Sequence, residues 1–163
     1  MIRRSCISTL AAIVLAVALS AANVRAETHE IHGKAQVLSG DTLVVHSQRI
    51  RLFGIDAPEL GQTCRWPNKT IDCGRISTTG LLDLIAPVAV TCGRKSMRPD
   101  GTWIGTCKAE GFDVGANMVH TGWAVASPDD PAGYGKIEAK AKAGRRGLWR
   151  GTFEMPWVWR KNR

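Results

Sequence analysis

Beyond its first 26 residues this chain of 163 has no internal repeat, no low-complexity tract and no dividing linker, which excludes a split into several domains. It has no C-x2-C pair, so its cysteines lack the usual spacing of a zinc site. Its one long apolar run, Leu10 to Ala22, is too short to cross a bilayer comfortably. No lipidation signal precedes a cysteine, because Cys6 lies ahead of that run. Acidic residues are scarce, 14 Asp and Glu against 22 Lys and Arg. Such a balance favours polyanionic partners (nucleic acid, acidic polysaccharide or an anionic surface) over acid-rich roles, unless the charge serves only solubility.

What is present begins with a leader. Met1-Ile2-Arg3-Arg4 is a short positive start, and Val24-Arg25-Ala26 places small residues where signal peptidase requires them. Residues 1–26 therefore read as a cleaved secretory signal, with Glu27 first in an exported protein, periplasmic or secreted, without a membrane anchor. The leader holds three arginines and no acids, leaving 19 Lys and Arg against 14 Asp and Glu, a net +5 over residues 27–163. That length forms one domain and buries a core without needing a metal.

The exported part keeps Cys64, Cys73, Cys92 and Cys107. An even number in an oxidising compartment predicts two disulfides. Of three possible pairings, Cys64–Cys73 closes a short local loop and Cys92–Cys107 joins adjacent strands, and these two are preferred.

Ile31 to Leu38 and Thr42 to Ser47 read as strands joined at Ser39-Gly40. In Gln48 to Phe53, Ile50 and Leu52 alternate with Arg49 and Arg51, so the two pairs face opposite ways. Gly54 to Gly61 is turn-rich. Asp72 to Ile85 reads as a helix stopped by Pro87. Val88 to Cys92 and Thr102 to Cys107 are strands about a turn at Arg98 to Gly101. Asp113 caps a helix that Gly122 ends, and Tyr134 to Ala143 is another, with Tyr134, Ile137 and Ala141 on its buried face. Strands first and helices later indicate an α+β fold built on a small five-stranded Greek-key barrel with about three helices.

The densest chemistry lies in Ser39-Gly40-Asp41-Thr42 and in Arg49-Ile50-Arg51-Leu52-Phe53-Gly54-Ile55-Asp56-Ala57-Pro58-Glu59. If the first three strands form a meander, Asp41, Arg51, Asp56 and Glu59 converge at one rim. Three carboxylates and a guanidinium suit a hard cation and a phosphodiester. The competing reading is structural: the aspartates shape turns and Arg51 pairs with them.

The segments G-D-T-L and R-I-R-L-F-G-I-D-A-P-E, with Gln62, Gly122-Trp123-Ala124 and Gly147-Leu148-Trp149, resemble the signature of the staphylococcal nuclease (thermonuclease) family over most of residues 31–150. The resemblance implies the staphylococcal-nuclease-like OB-fold and a calcium-dependent nuclease. Asp41 and Asp56 would ligate Ca2+ with the Ala57 carbonyl, Glu59 would activate water, and Arg51 would bind phosphate. The tail Met155-Pro156-Trp157-Val158-Trp159-Arg160 is similar to that of exported proteobacterial members, and its tryptophans read as a cover for the core rather than a stacking platform.

One departure stands out. The family's second catalytic arginine follows Tyr-Gly in a turn, whereas Arg98-Pro99-Asp100-Gly101-Thr102 stands here and puts Thr102 in that place. A hydroxyl cannot neutralise a pentacovalent phosphate, and losing one aimed donor costs about 2.7–4 kcal/mol. Asp100 would repel phosphate, and Ser127 replaces a frequent tyrosine. Arg98, Arg94 or Lys95 could compensate, Arg98 foremost.

Two functions follow. One is an exported, monomeric, calcium-dependent nuclease acting on DNA or RNA. The other is a non-catalytic polyanion-binding protein on the same scaffold, for example in acidic exopolysaccharide biosynthesis, since members of the family occur in exopolysaccharide gene clusters. His29 and His32, Asp129-Asp130-Pro131 and the sequon Asn68-Lys69-Thr70 carry little weight.

Overall fold

The computed structural model describes residues 29–163, so the leader expected at 1–26 lies outside the described residues. In chain order the elements are β1 (Glu30–Gly33), β2 (Ala35–Ser39), β3 (Thr42–Val45), β4 (Gln48–Leu52), β5 (Ile55–Asp56), β6 (Thr63–Trp66) and β7 (Lys69–Asp72). Helix α1 (Cys73–Ile85) follows, then β8 (Val90–Met97), β9 (Trp103–Ala109), β10 (Phe112–Asp113), α2 (Val114–Thr121) and β11 (Val125–Ala126). The chain closes with α3 (Gly135–Ala143), a 3-10 turn (Gly147–Arg150) and α4 (Pro156–Lys161).

The main sheet runs β1-β8-β9-β4-β3-β2. β2, β3 and β4 form an antiparallel meander, and β4 pairs with β9 in parallel. Counting only the long strands β2, β3, β4, β8 and β9, the spatial order is first, second, third, fifth, fourth, the arrangement of a small OB-type barrel. The strand expected across Ile31–Leu38 is in fact two. The chain bends at Lys34, so that β1 pairs with β8 on one edge while β2 pairs with β3 on the other. That bend curls the sheet, because a barrel strand must turn a corner to serve two neighbours.

Alternation along β3 and β4 fills the barrel. Leu43, Val45, Ile50 and Leu52 are buried, together with Ile55, Leu81, Ile85, Val90, Met118 and Val119. Arg49 and Arg51 take the opposite face, as the period of two requires. Helix α1 starts at Asp72, whose carboxylate accepts from the Arg75 amide, and α2 starts at Asp113 in the same way. Gly122, at φ 77°, ends α2 in the left-handed conformation. At the other end of α2, Tyr134 is buried beside the Asp113 cap and donates its hydroxyl hydrogen to Asp113 Oδ2 at 2.8 Å. Burial first, and that bond second, push its pKa up from the usual phenol value.

Both preferred disulfides are present. Cys64–Cys73 ties the β6–β7 hairpin to the start of α1, and Cys92–Cys107 joins directly paired residues of β8 and β9. The β6–β7 hairpin and α4 had no counterpart in the sequence reading, which counted about three helices. A second apolar cluster of Cys64, Ile71, Cys73, Val125 and Leu148 packs against Trp149, Phe153, Met155 and Trp157. The tail therefore does cover core. It also does more than that.

Candidate active site

The rim is assembled by turn, strand-pairing and ion-pair contacts. Asp41 sits in the turn between β2 and β3, where its Oδ1 accepts from Ser39 Oγ at 2.9 Å and Thr42 Oγ1 at 2.7 Å. The Ala57 amide reaches Asp41 Oδ2 at 3.3 Å, which draws the β5 loop onto that turn. Asp56 belongs to β5, held by pairing with Val125 of β11. Arg51 projects from β4 between the two aspartates. Its Nη2 lies 3.0 Å from Asp41 Oδ2 and 2.7 Å from Asp56 Oδ1. Both aspartates are almost fully buried, at 4% and 5% exposure, so a counter-charge is required.

The sequence reading thus brought Asp41, Arg51, Asp56, Ala57 and Glu59 to one place. The contacts themselves are those of the structural alternative, aspartates that shape turns and pair with Arg51.

One participant was missed. Arg160, on α4, donates from Nη1 to Asp56 Oδ1 at 2.9 Å and to Glu59 Oε1 at 2.6 Å, and from Nη2 to Asp56 Oδ2 at 2.7 Å. Its bond to Asp56 raises its own pKa beyond the ordinary arginine value, against the opposing effect of burial. The available signal was Pro156, a residue suited to the first turn of a helix, four positions before the tail's first arginine. Gln62, fully buried, fixes this arrangement. Its Oε1 accepts from the Glu59 amide at 3.1 Å, and its Nε2 donates to the Glu154 carbonyl at 2.7 Å, so the Glu59 loop and the tail share one side chain.

Beside the rim opens a cavity of about 310 Å³ lined by Arg51, Phe53, Ile55, Asp56, Arg98, Ile104, Ser127, Asp129 and Pro131 among others. Arg98 therefore faces the same space as Arg51. Thr102 is buried, at 6% exposure, and its amide donates to Asp100 Oδ1 at 3.0 Å. That amide bond is the main reason the Asp100 carboxyl lies below its ordinary pKa. The turn thus spends Asp100 on its own backbone, and Thr102 supplies no cation.

A protein-family profile described as staphylococcal nuclease homologue matches residues 49–151. The chain belongs to the staphylococcal nuclease family. The matched stretch contains Arg51, Asp56 and Glu59, while Asp41 and Arg160 lie outside it. Among similar proteins is the succinoglycan biosynthesis protein ExoI of Rhizobium meliloti (strain 1021), 33% identical over 129 residues, covering 76% of this chain and 67% of that one. A probable staphylococcal-like nuclease of Oryza sativa subsp. japonica is 31% identical over 127 residues, covering 76% of this chain and 31% of its own length. A second rice protein of the same description is 30% identical over 127 residues, covering 76% and 32%. This chain thus spans about a third of those rice proteins.

The family is typically calcium-dependent, and the donors on this rim suit that ion: carboxylate oxygens, with no soft ligand among the site residues. Their oxygens are here occupied by guanidinium groups and hydroxyls, and no three His, Cys, Asp or Glu side chains are gathered as a ready metal cage among the described residues. The donor chemistry fits a hard cation. The charge balance is met by arginine.

Helix α1 is the platform beneath the rim. A Cβ on Gly40 would come within 1.9 Å of Ser77 Oγ, and one on Gly74 within 1.8 Å of the Glu59 carbonyl oxygen. The second contact is backbone, so it cannot be relieved by a rotamer change. Gly74→Ala should push the Glu59 loop off α1, cost about 1–3 kcal/mol of stability and slow any cleavage. Thermal unfolding and rate, measured together, check this. Gly93→Ala, whose nearest neighbour would be 3.8 Å away, is the matched control and should change neither by much.

Proposed function

We propose that this chain is an exported, monomeric phosphodiesterase that hydrolyses nucleic acid, with Arg51 and Glu59 as its catalytic residues. The observation that carries the reading is the convergence of Asp41, Arg51, Asp56 and Glu59 on one rim, beside a cavity that Arg98 also enters. Arg51 uses Nη2 for the two aspartates, and among the described residues its Nε and Nη1 make no hydrogen bond and are available to a phosphate. Glu59 stands on a loop held by Gln62, where its carboxylate can take a proton from water as the water oxygen bonds to phosphorus. The ester P–O bond then breaks, and the leaving oxygen takes a proton from solvent.

Asp41 and Asp56 would hold calcium with help from the Ala57 carbonyl. When bound, the ion supplies Lewis-acid polarisation of the phosphate. Export is supported by the two disulfides, which persist in oxidising compartments, and by the leader expected at residues 1–26. Among the described residues no helix is long and apolar enough to cross a membrane.

The test is cleavage of a quenched single-stranded DNA reporter, with calcium and then with chelator, by the protein beginning at Glu27 and by its Glu59→Ala form. Cleavage should require calcium and fall at least about 10²-fold in the variant, the scale of losing one aimed catalytic group. Equal rates in both proteins would mean a contaminating nuclease and defeat the reading.

A second reading, binding of an acidic polysaccharide without cleavage, is favoured by Thr102 and by the similarity to a succinoglycan biosynthesis protein. It predicts salt-sensitive association with several polyanions that chelator leaves unchanged.

A further inference from the structure

The site has one family arginine too few in sequence and one unassigned arginine too many in space. Arg160 reaches the rim from α4, 101 positions beyond Glu59 and 104 beyond Asp56. It shares Asp56 Oδ1 with Arg51, which approaches that oxygen at 2.7 Å while Arg160 Nη1 approaches at 2.9 Å. Two guanidinium groups bonded to one oxygen atom stand side by side. A phosphodiester carries its charge on two non-bridging oxygens, and two neighbouring guanidinium groups match that anion in charge.

The hydrogen inventory of Arg160 points the same way. Its three bonds use both hydrogens of Nη1 and one of Nη2. Nε–H and the second Nη2 hydrogen make no bond among the described residues, and together they form one edge of the fork. About a third of the side chain, 36%, is open to solvent, so that edge can be approached. The carboxylates thus grip one side of the guanidinium and leave the other as a two-donor face. A residue serving only as counter-ion to Asp56 needs no such free face. Lys in its place would balance the charge equally well but could not offer a planar pair of donors.

We propose that Arg160 is the second phosphate-contacting residue of this site, supplying from the C-terminal helix the guanidinium that Thr102 does not. This rests on the nucleic-acid reading above and names a further residue for it. Asp56 is then a positioning residue for both arginines, since both donate to its Oδ1. Gln62 acts one step further out, since its bond to the Glu154 carbonyl sets where α4 begins relative to the Glu59 loop.

The experiment measures binding of a fluorescein-labelled, phosphorothioate-substituted dT8 by anisotropy across a salt series in calcium buffer. Wild type is compared with Arg51→Ala, Arg160→Ala, Arg160→Met and Arg160→Lys. The methionine variant keeps an unbranched apolar stem at this position of α4, in case alanine fails to fold, and thermal unfolding reports which variants are native. Each lost phosphate contact lowers the slope of log K against log salt by about 0.7 on single strands. Arg51→Ala and Arg160→Met should each show that decrease. Arg160→Lys should keep the wild-type slope while cleavage of an unmodified strand falls at least about tenfold, because the charge remains and the fork is lost.

A full slope in a folded Arg160→Met protein, alongside a reduced slope in Arg51→Ala, would overturn the assignment and leave Arg160 a structural counter-ion. A full slope in both would show that this rim does not hold the strand, and the nucleic-acid reading would fall with the proposal. Reduced slopes in both without cleavage by wild type would uphold Arg160 as a phosphate contact and refute only the hydrolytic reading. Thr102→Arg added to Arg160→Met should recover part of the lost cleavage, a rescue that a purely structural role for Arg160 would not give.

Discussion

Arg51→Ala is expected to reduce cleavage by at least about 10²–10³-fold, the range found when one aimed donor to a developing oxyanion is removed. The same change should destabilise the fold, which separates Arg51 from a residue that acts on substrate alone. Arg51 is the shared counter-ion of Asp41 and Asp56, whose side chains retain only 6% and 7% of their exposure. Without it two nearly buried carboxylates face each other, Asp56 still held by Arg160 but Asp41 left to two hydroxyls and one amide. Removing one partner of a fully buried ion pair costs about 3–5 kcal/mol, and a side chain still 24% exposed should cost less, roughly 2 kcal/mol. Arg51→Lys should recover much of the stability and little of the rate, since an ammonium restores the charge without the fork. Urea unfolding and reporter cleavage on the same preparations check both halves. A stable, fully active Arg51→Ala protein would remove Arg51 from the site altogether.

Loss of the Cys92–Cys107 disulfide, by Cys92→Ala with Cys107→Ala, is expected to lower stability by about 3 kcal/mol. That figure is the chain-entropy value for a closed loop of 15 residues, the separation of these two cysteines. Both residues are fully buried in the core, so the exchange also removes two sulfur atoms from packed positions and adds to the loss. The effect should spread along β8, because that strand carries β1 on its outer edge and β9 on its inner one. Opening β8 from β9 would release β1 and with it the curl of the barrel. Cys64–Cys73 closes a loop of only 9 residues and should contribute less globally. It ties the hairpin before α1 to the helix start, one residue from Gly74, so its loss should fall more on the Glu59 loop and on activity than on the barrel. Calorimetry of the two double variants, with cleavage rates beside it, distinguishes a global staple from a local one. Equal melting losses for the two bridges would contradict that division.

The site was legible in the sequence to the extent that it is local. Asp41, Arg51, Asp56 and Glu59 fall within one meander and the loop that leaves it, where a two-residue period and a tight turn dictate which side chains share a rim. The alternation of Ile50 and Leu52 with Arg49 and Arg51 decided that Arg51 faces away from the core, since neighbours on a strand point to opposite sides. The preference among the three disulfide pairings had the same basis: one bridge spans a short loop and the other joins the two arms of an antiparallel pair. The single strand expected across Ile31–Leu38 was not one strand. Its alternation, Ile31, Gly33, Ala35 and Val37 against His32, Lys34 and Gln36, runs through Lys34 unbroken, and only the need to pair with β8 on one edge and β3 on the other bends it there.

The tail shows the remaining limit. Its tryptophans were read as a cover for the core, and Trp157 does pack against the second apolar cluster. Nothing in Trp157-Val158-Trp159-Arg160 states where the arginine at its end will point. That direction depends on where Gln62 anchors Glu154, on the angle at which α4 leaves that anchor, and on the charge of Asp56 lying within reach.

Sequence alone therefore pointed to the barrel, the four-residue acidic and basic rim and the absence of a cation at Thr102, and it favoured one of three cysteine pairings that the structure then selected. Each of these follows from neighbours close along the chain, or from the identity of one residue. Only the tertiary structure decided that two guanidinium groups would meet at Asp56 and that one of them would come from the C-terminal helix. A contact between residues 104 positions apart is set by how packed elements meet, and that information resides in no single stretch of the chain.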